Sequence, residues 1–281
     1  MKHCIDGGHF MKKNIFMYSI LLFVVLISVF PILWIVLSSF KSNGEILSTP
    51  LSIPMSFNFT VYFDLLTEYN FFQFFLNSIF IATVSSLISL LIFSMSAYVI
   101  ARFEFPGKTL FFILFTLTLL VPSHSRTQPI FSLVMNLGLY DNILGLTIVY
   151  LSAGLAMSLF LLKAGFMSIP ESLGESAEIE GAGFLKTFFL IYVPLVKSSL
   201  STAGILMFLG NWNEYYFASL LTSSDSSRTL PVALSFFTSE FSYNYTSLFA
   251  ALTVVVLPGI ILYAVTSRHV QMGIASTGVK G

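Results

Sequence analysis

Cysteine is nearly absent from this chain, with one residue, Cys4, in 281. A single thiol closes no internal disulfide, which excludes the small oxidised scaffolds of secreted domains. Charge is scarce too, at 9% of residues, against roughly 25% in soluble domains. Neither sign prevails, since 13 Lys and Arg stand against 13 Asp and Glu. A chain without a net field has nothing to hold a polyanion, so nucleic acid is not an expected partner. What is plentiful is carbon. The chain is 56% hydrophobic with 31 Phe, and its apolar runs reach the roughly 20 residues that a helix needs to cross a bilayer. Lipid is therefore the expected solvent for most of it.

Catalytic motifs are missing as well. The only Gly-Lys-Thr is Gly107 to Thr109, and Arg102 stands where a phosphate-binding P-loop needs its first glycine. The chain is expected not to hydrolyse ATP, and it holds no His-Glu-x-x-His. His3, Cys4, Asp6 and His9 sit in a short start where a metal site is not expected. Met11 before Lys12 and Lys13 would serve as a natural start, which leaves residues 1–10 without an assigned role.

Hydrophobic runs predict an all-α membrane protein with about six transmembrane helices. The spans are read at about Ile15 to Phe40, Asn77 to Ile100, Thr109 to Val121, Ile143 to Leu162, Ser198 to Leu221 and Ser247 to Ser267. The third is short and breaks at Pro122, where six polar residues, Ser123 to Gln128, precede Pro129. Ile130 to Leu137 then reads as an interfacial helix, with Gly138 as the turn and Asp141 as N-cap of span four. With both termini inside, ten Lys and Arg fall in inner segments and three, Lys41, Arg126 and Arg228, in outer ones. Both termini are therefore expected in the cytoplasm. Residues 1–13 read as a cytoplasmic tail, 14–267 as the transmembrane domain and 268–281 as a second cytoplasmic tail. Lys12 and Lys13 with the run that follows resemble a signal peptide, but the run is too long and lacks a cleavage site, so it is read as an anchor.

Two stretches carry chemistry. In span five, Asn211, Trp212, Asn213 and Glu214 interrupt an apolar helix and are followed by Tyr215 and Tyr216. Buried polar groups in lipid are costly and mark function by default. Amide, carboxylate and aromatic groups together can bind a polyol, so these six residues are a candidate translocation pathway. The alternative is that they bind a neighbouring helix or an outer vestibule. The second stretch is the loop of about 168–194. Ser168 and Glu171 have capping-box spacing, which predicts a helix from about Ile169 to Glu180. Glu171, Glu175 and Glu178 fall within about 60° of one another on that helix. Such a stripe, ended by Gly181, suits either a basic partner or a solvated face beneath lipid headgroups.

Glu175-Ser176-Ala177-Glu178-Ile179-Glu180-Gly181-Ala182, with Phe188, Ile191 and Pro194 following, resembles the E-A-A-x-x-D-G-A signature of permease subunits of bacterial ABC importers. Ser176, Glu180 and Val193 depart from it conservatively. Asn77-Ser78, Ala97-Tyr98 with Ala101-Arg102, Phe105 with Gly107-Lys108, Leu137-Gly138-Leu139, Trp212 to Tyr215, Leu230-Pro231-Val232 and the Gly278 to Gly281 ending are similar to the sugar-importer, maltose-permease (MalG) type. The resemblance implies the type I ABC importer permease fold with a cytoplasmic coupling helix. It implies a heterodimer with a second permease subunit, two cytosolic ATPase subunits that bind ATP and Mg, and an extracytoplasmic sugar-binding protein. Glu175, Ser176, Ala177, Glu178, Glu180, Gly181, Ala182 and Pro194 would then couple to the ATPase, in the membrane of a bacterial cell. Thr222 to Thr246 would meet the binding protein. No cofactor or metal is expected in this chain. Read without the resemblance, the same residues also suit an ion-coupled secondary transporter or a channel, whose loop is only a connector. A membrane-embedded enzyme would need a catalytic cluster that the sequence does not show.

Overall fold

The computed structural model describes residues 7–240 and 244–278, with side chains over 16–236 and 244–266. The His3, Cys4, Asp6 and His9 side chains and the ending at 279–281 lie outside the described residues. Helices dominate, and no strand occurs among the described residues. They are α1 (Gly7–Ser38), α2 (Asn43–Ser48), α3 (Thr60–Thr67), α4 (Phe71–Arg102), α5 (Lys108–Leu117), α6 (Thr127–Asn136), α7 (Ile143–Tyr150), α8 (Leu155–Met167), α9 (Glu171–Ile179), α10 (Phe184–Lys186), α11 (Val193–Leu195), α12 (Lys197–Trp212), α13 (Tyr216–Leu221), α14 (Leu230–Glu240) and α15 (Tyr245–Gly278). Three helices are long and apolar enough to cross a bilayer alone, and three bent pairs bring the spans to six.

The contacts divide the chain into two units, one of which is 1–69 with 236–254. In it α1 leaves most of its apolar residues from Phe16 to Leu33 exposed, as a lipid-facing helix must. Ser42 and Glu45 close a capping box on α2. Lys41 is 1% exposed, and its ammonium donates to the carbonyls of Pro50 at 2.8 Å and Thr49 at 3.3 Å. A buried cation held by carbonyl oxygens avoids the penalty of a bare charge.

The other unit, 70–235 with 255–281, is built on α4. Small residues let helices approach closely where lipid supplies no hydrophobic drive. Ser85, Ser86, Ser89 and Ser94 of α4 are buried accordingly. Gly165 of α8 sits so near α12 that a Cβ there would lie 2.6 Å from Ser199 Oγ and 2.9 Å from its Cβ. Gly165→Val is expected to cost about 1–3 kcal/mol by overpacking, read as a lower melting temperature of the detergent-purified protein, with Gly204→Ala, whose nearest atom is a flexible Leu90 methyl at 3.2 Å, as the milder comparison.

The breaks fall at identifiable places. The third span bends by 104° between Lys108–Leu120 and Ser123–Asn136, at the polar stretch after Pro122. The interfacial helix read from Ile130 begins earlier, at Thr127. The fourth bends by 50° between Tyr150 and Leu155. Gly154 takes a left-handed φ of +72° there, and Ser89 Oγ donates to the freed Leu151 carbonyl at 2.7 Å. The expected N-cap at Asp141 is corrected, because Asn142 caps α7 by accepting from the Leu144 amide at 2.8 Å. Asp141 has a left-handed φ of 55° and its carboxylate turns to another loop. The fifth span is not continuous to Leu221, since α12 ends at Trp212 and the chain restarts as α13 at Tyr216. At its other end a π-helix, Thr187–Tyr192, and Pro194 precede an 85° bend between Phe184–Leu195 and Lys197–Trp212. A proline with no N–H to give is at home beside such a turn.

Candidate functional site

The loop helix is shorter than its sequence suggests. The Ser168 capping box does not form, because Ser168 Oγ donates instead to the Gly165 carbonyl at 2.7 Å and Pro170 holds the N-cap place. The helix runs from Glu171 to Ile179 rather than from Ile169 to Glu180. Its end is closed by a pair of backbone bonds, Ala182 N–H to the Ala177 carbonyl at 2.9 Å and Gly181 N–H to the Glu178 carbonyl at 3.0 Å. That pair is the Schellman closure, which needs a left-handed residue at its turn. Gly181 supplies it with φ +78°.

One face of α9 is small and inward. Ala177 is 5% exposed, and a Cβ on Gly174 would stand 2.6 Å from the Tyr192 hydroxyl. Glu171, Glu175, Ser176, Glu178, Glu180 and Gly181 are nonetheless exposed, Ala182 is half-buried, and Pro194 is exposed on the return segment. Ile179 is 87% exposed. An apolar side chain this exposed, near carboxylates at the end of a short helix, makes α9 a candidate docking surface.

Between α9 and the end of α4 opens a cavity of about 530 Å³ lined by Arg102, Glu171, Gly174, Glu175, Glu178 and Tyr192, among others, so the three exposed carboxylates of α9 stand at its rim. Arg102 Nη2 donates to the Phe166 carbonyl at 2.5 Å and to the Ile169 carbonyl. Its guanidinium stands 5.0 Å from the centre of the Tyr192 ring. Tyr98 is surrounded by Phe103, Phe166, Phe184, Phe188 and Tyr192, with ring centres 4.8 to 5.6 Å away. Sequence reading placed Tyr98 and Arg102 in a family pattern but gave them no role, because all their partners but Phe103 lie more than sixty positions downstream.

The six residues from Asn211 to Tyr216 separate into two groups. Asn211 is buried and donates to Ser85 Oγ at 2.9 Å and Ser86 Oγ at 3.1 Å on α4. Trp212 is 2% exposed, donates to the Val255 carbonyl at 3.2 Å and stacks on Phe208. Glu214 caps α13 by accepting from the amides of Phe217 at 2.9 Å and Ala218 at 3.0 Å, and it also accepts from the Tyr150 hydroxyl. These three serve helix neighbours. Asn213, Tyr215 and Tyr216 keep exposed surface. Tyr216 shares a 2.7 Å hydrogen bond with Thr127 and meets the edge of His124 at 4.4 Å, two neighbours the sequence gave no reason to expect.

A polar knot lies near the N-terminal end of α4. Asp141 accepts from the amides of Ser223 at 2.7 Å and Ser224 at 2.9 Å and from the Ser227 hydroxyl. Asn77 donates to the carbonyls of Ser226 at 3.0 Å and Arg228 at 2.8 Å. Partial burial alone would raise the Asp141 carboxyl, but these bonds outweigh it and hold it well below the ordinary 3.8. Its stabilising effect is therefore complete above about pH 4 and is lost as pH falls through the lower folded value. Protection of the 223 and 224 amides relative to their intrinsic exchange is expected to hold at neutral pH and to be lost only in strong acid, whereas Asp141→Asn should show the reduced protection at every pH.

The description "binding-protein-dependent transport system inner membrane component" belongs to the family model that matches residues 94–275. The chain is 33% identical over 255 residues to the diacetylchitobiose uptake system permease protein NgcG of Streptomyces coelicolor, covering 90% of this chain and 84% of that one. It is 33% identical over 260 residues to the trehalose transport system permease protein SugB of Mycobacterium tuberculosis, covering 92% and 94%. In fold it is similar to a chain of a bacterial ABC transporter involved in the import of the acidic polysaccharide alginate, with a TM-score of 0.79, 24% identity, and 95% and 99% of the two chains covered.

Proposed function

The chain belongs to the inner membrane components of binding-protein-dependent transport systems, and from that premise we propose that it is a permease subunit of an ATP-driven importer of sugars, di- or oligosaccharides by class. The family is one of transport components, not of enzymes. Hydrolysis of ATP with Mg falls to separate cytosolic ATPase subunits, two per complex. A second permease subunit completes the pathway, and an extracytoplasmic binding protein delivers the sugar. The observation that carries the reading is α9, anchored at Gly174 and Ala177 and closed at Gly181, with Glu171, Glu175 and Glu178 exposed along the rim of the adjoining cavity and Ile179 exposed beside them. Basic side chains of an ATPase suit that rim, and Ile179 suits an apolar pocket within it. The names of the relatives support the substrate class, since diacetylchitobiose and trehalose are both disaccharides.

On this reading both termini and the α9 loop face the cytoplasm, in keeping with the ten-to-three distribution of Lys and Arg. Closure of the two ATPases draws the loops together and rocks the spans between inward-open and outward-open states. Asn213, Tyr215 and Tyr216 are the residues of the 211–216 group with surface left for a sugar, and 222–246 is the contact for the binding protein. The test is purification through a tag on this chain, followed by ATPase assay with the candidate binding protein and a panel of sugars. A four-chain core whose ATPase rises with one liganded binding protein is the expected result. Recovery of this chain alone, in a detergent that preserves other such complexes, overturns it in favour of ion-driven transport.

A further inference from the structure

We propose that Arg102 and Tyr192 form the rivet that makes α9, α4 and α8 move as one piece, with Arg102 as a positioning residue. The inference rests on the proposed coupling role of α9, and it concerns how a displacement of that short helix reaches the spans. Nine residues of helix ended by a tight turn have little purchase of their own. The purchase is supplied from behind. Arg102, the last residue of α4, reaches the carbonyls of Phe166 and Ile169, which lie at the end of α8 and just before α9. Carbonyls at a helix C-terminus carry partial negative charge, so a guanidinium is the right counterpart. The same group lies over the Tyr192 ring, 5.0 Å from its centre, and the hydroxyl of that ring rests on Gly174 in the middle of α9. Tyr192 closes the π-helix that leads through Pro194 into α12. Four helices thus converge on one arginine and one tyrosine.

No carboxylate pairs with Arg102 among the described residues, although Glu104, Glu171, Glu175 and Glu178 line the adjoining cavity. Its bonds go to backbone carbonyls, which fix position without cancelling the acidic rim. A lysine lacks the planar fork and the stacking face needed here. Gly174 provides the sharper test. Alanine in the middle of a helix ordinarily favours it over glycine, so a site that merely needs helix would gain from Gly174→Ala. Here the added Cβ meets the Tyr192 hydroxyl at 2.6 Å, while the next ring atom is at 3.5 Å. Tyr192→Phe removes the hydroxyl and leaves room.

The experiment uses the full complex, with Cys4→Ser and spin labels at Ser172→Cys on α9 and Ser96→Cys on α4. Distances are measured without nucleotide and with ATP and vanadate. The expected result is one narrow distance, unchanged by nucleotide, in the otherwise wild-type complex. Arg102→Lys and Gly174→Ala should broaden it or make it nucleotide-dependent with the ATPase still bound, and Gly174→Ala with Tyr192→Phe should restore it. Narrow distances in both single variants, or no restoration in the double variant, overturn the rivet. Failure of the ATPase to bind the unsubstituted chain overturns the coupling role instead, and the nucleotide-free distances still read the rivet separately.

Discussion

Gly181→Val is expected to strip the ATPase from the purified complex while the chain itself remains inserted. The Schellman turn needs a left-handed residue, and Gly181 holds φ +78°. An L-residue there costs about 1–2 kcal/mol, and a β-branched one fares worse than most. Since about 1.4 kcal/mol is a tenfold change in an equilibrium, docking should weaken by about tenfold or more. The two bonds that close α9, from Ala182 and Gly181, would open, and Ile179 would lose its fixed direction. Gly183→Val is the control, because Gly183 has φ −72° and open space at its Cβ. Equal ATPase recovery with both variants would refute the docking role of the turn. Glu175→Lys probes the acidic rim by charge rather than by backbone, and should weaken docking most at low ionic strength.

The second large effect is expected at Glu214. Its carboxylate accepts two amides at the start of α13 and the hydroxyl of Tyr150. Alanine removes the acceptor of two first-turn amides, a loss comparable to that of a helix cap at about 0.5–2 kcal/mol, and leaves the Tyr150 hydroxyl, in a residue 2% exposed, with only a long 3.4 Å contact to the Glu214 carbonyl. Glu214→Ala should therefore lower the melting temperature in detergent more than a typical surface substitution. Adding Tyr150→Phe should recover part of the loss, because the orphaned hydroxyl goes with it. Strict additivity of the two single effects would show that the residues are not coupled. Uptake that falls in Glu214→Ala but returns in the double variant would assign Glu214 to holding α13, while uptake that stays low despite restored stability would assign it to the path of the sugar.

These two residues also mark what a reading of the sequence reaches. Hydropathy along the chain is a local property, so six spans and the break after Pro122 are legible from it. Gly181 is legible too, since a glycine ending a short polar helix has a local meaning. Glu214 could be singled out but not understood: a carboxylate in an apolar run signals cost, and the relief of that cost lies at Tyr150, sixty-four positions upstream. The same distance hides Arg102, whose carbonyl partners stand beyond two intervening spans. The Ser168 capping box and the Asp141 cap failed for a related reason. Each was a sound local pairing that another partner outbid, the Gly165 carbonyl one turn back in one case and the distant loop 223–227 in the other. The long fifth span failed because Asn213 and Glu214 return their side chains to nearby backbone, one to Leu209 and the other to the first amides of α13.

The bend in the fourth span bears on how the protein is made. α7 has 8 residues and α8 has 13, about 12 and 20 Å of helix, and neither alone matches a hydrocarbon layer about 30 Å thick. The insertion machinery must therefore accept the two, with the turn between them, as a single passenger. During that passage the Leu151 carbonyl has no helical partner, and in lipid such a group is a liability. The hydroxyl that relieves it, on Ser89, belongs to a helix synthesised earlier. Chain order thus has the earlier helix waiting when the broken one arrives, and a permuted gene that delivered the fourth span first would lack that reception.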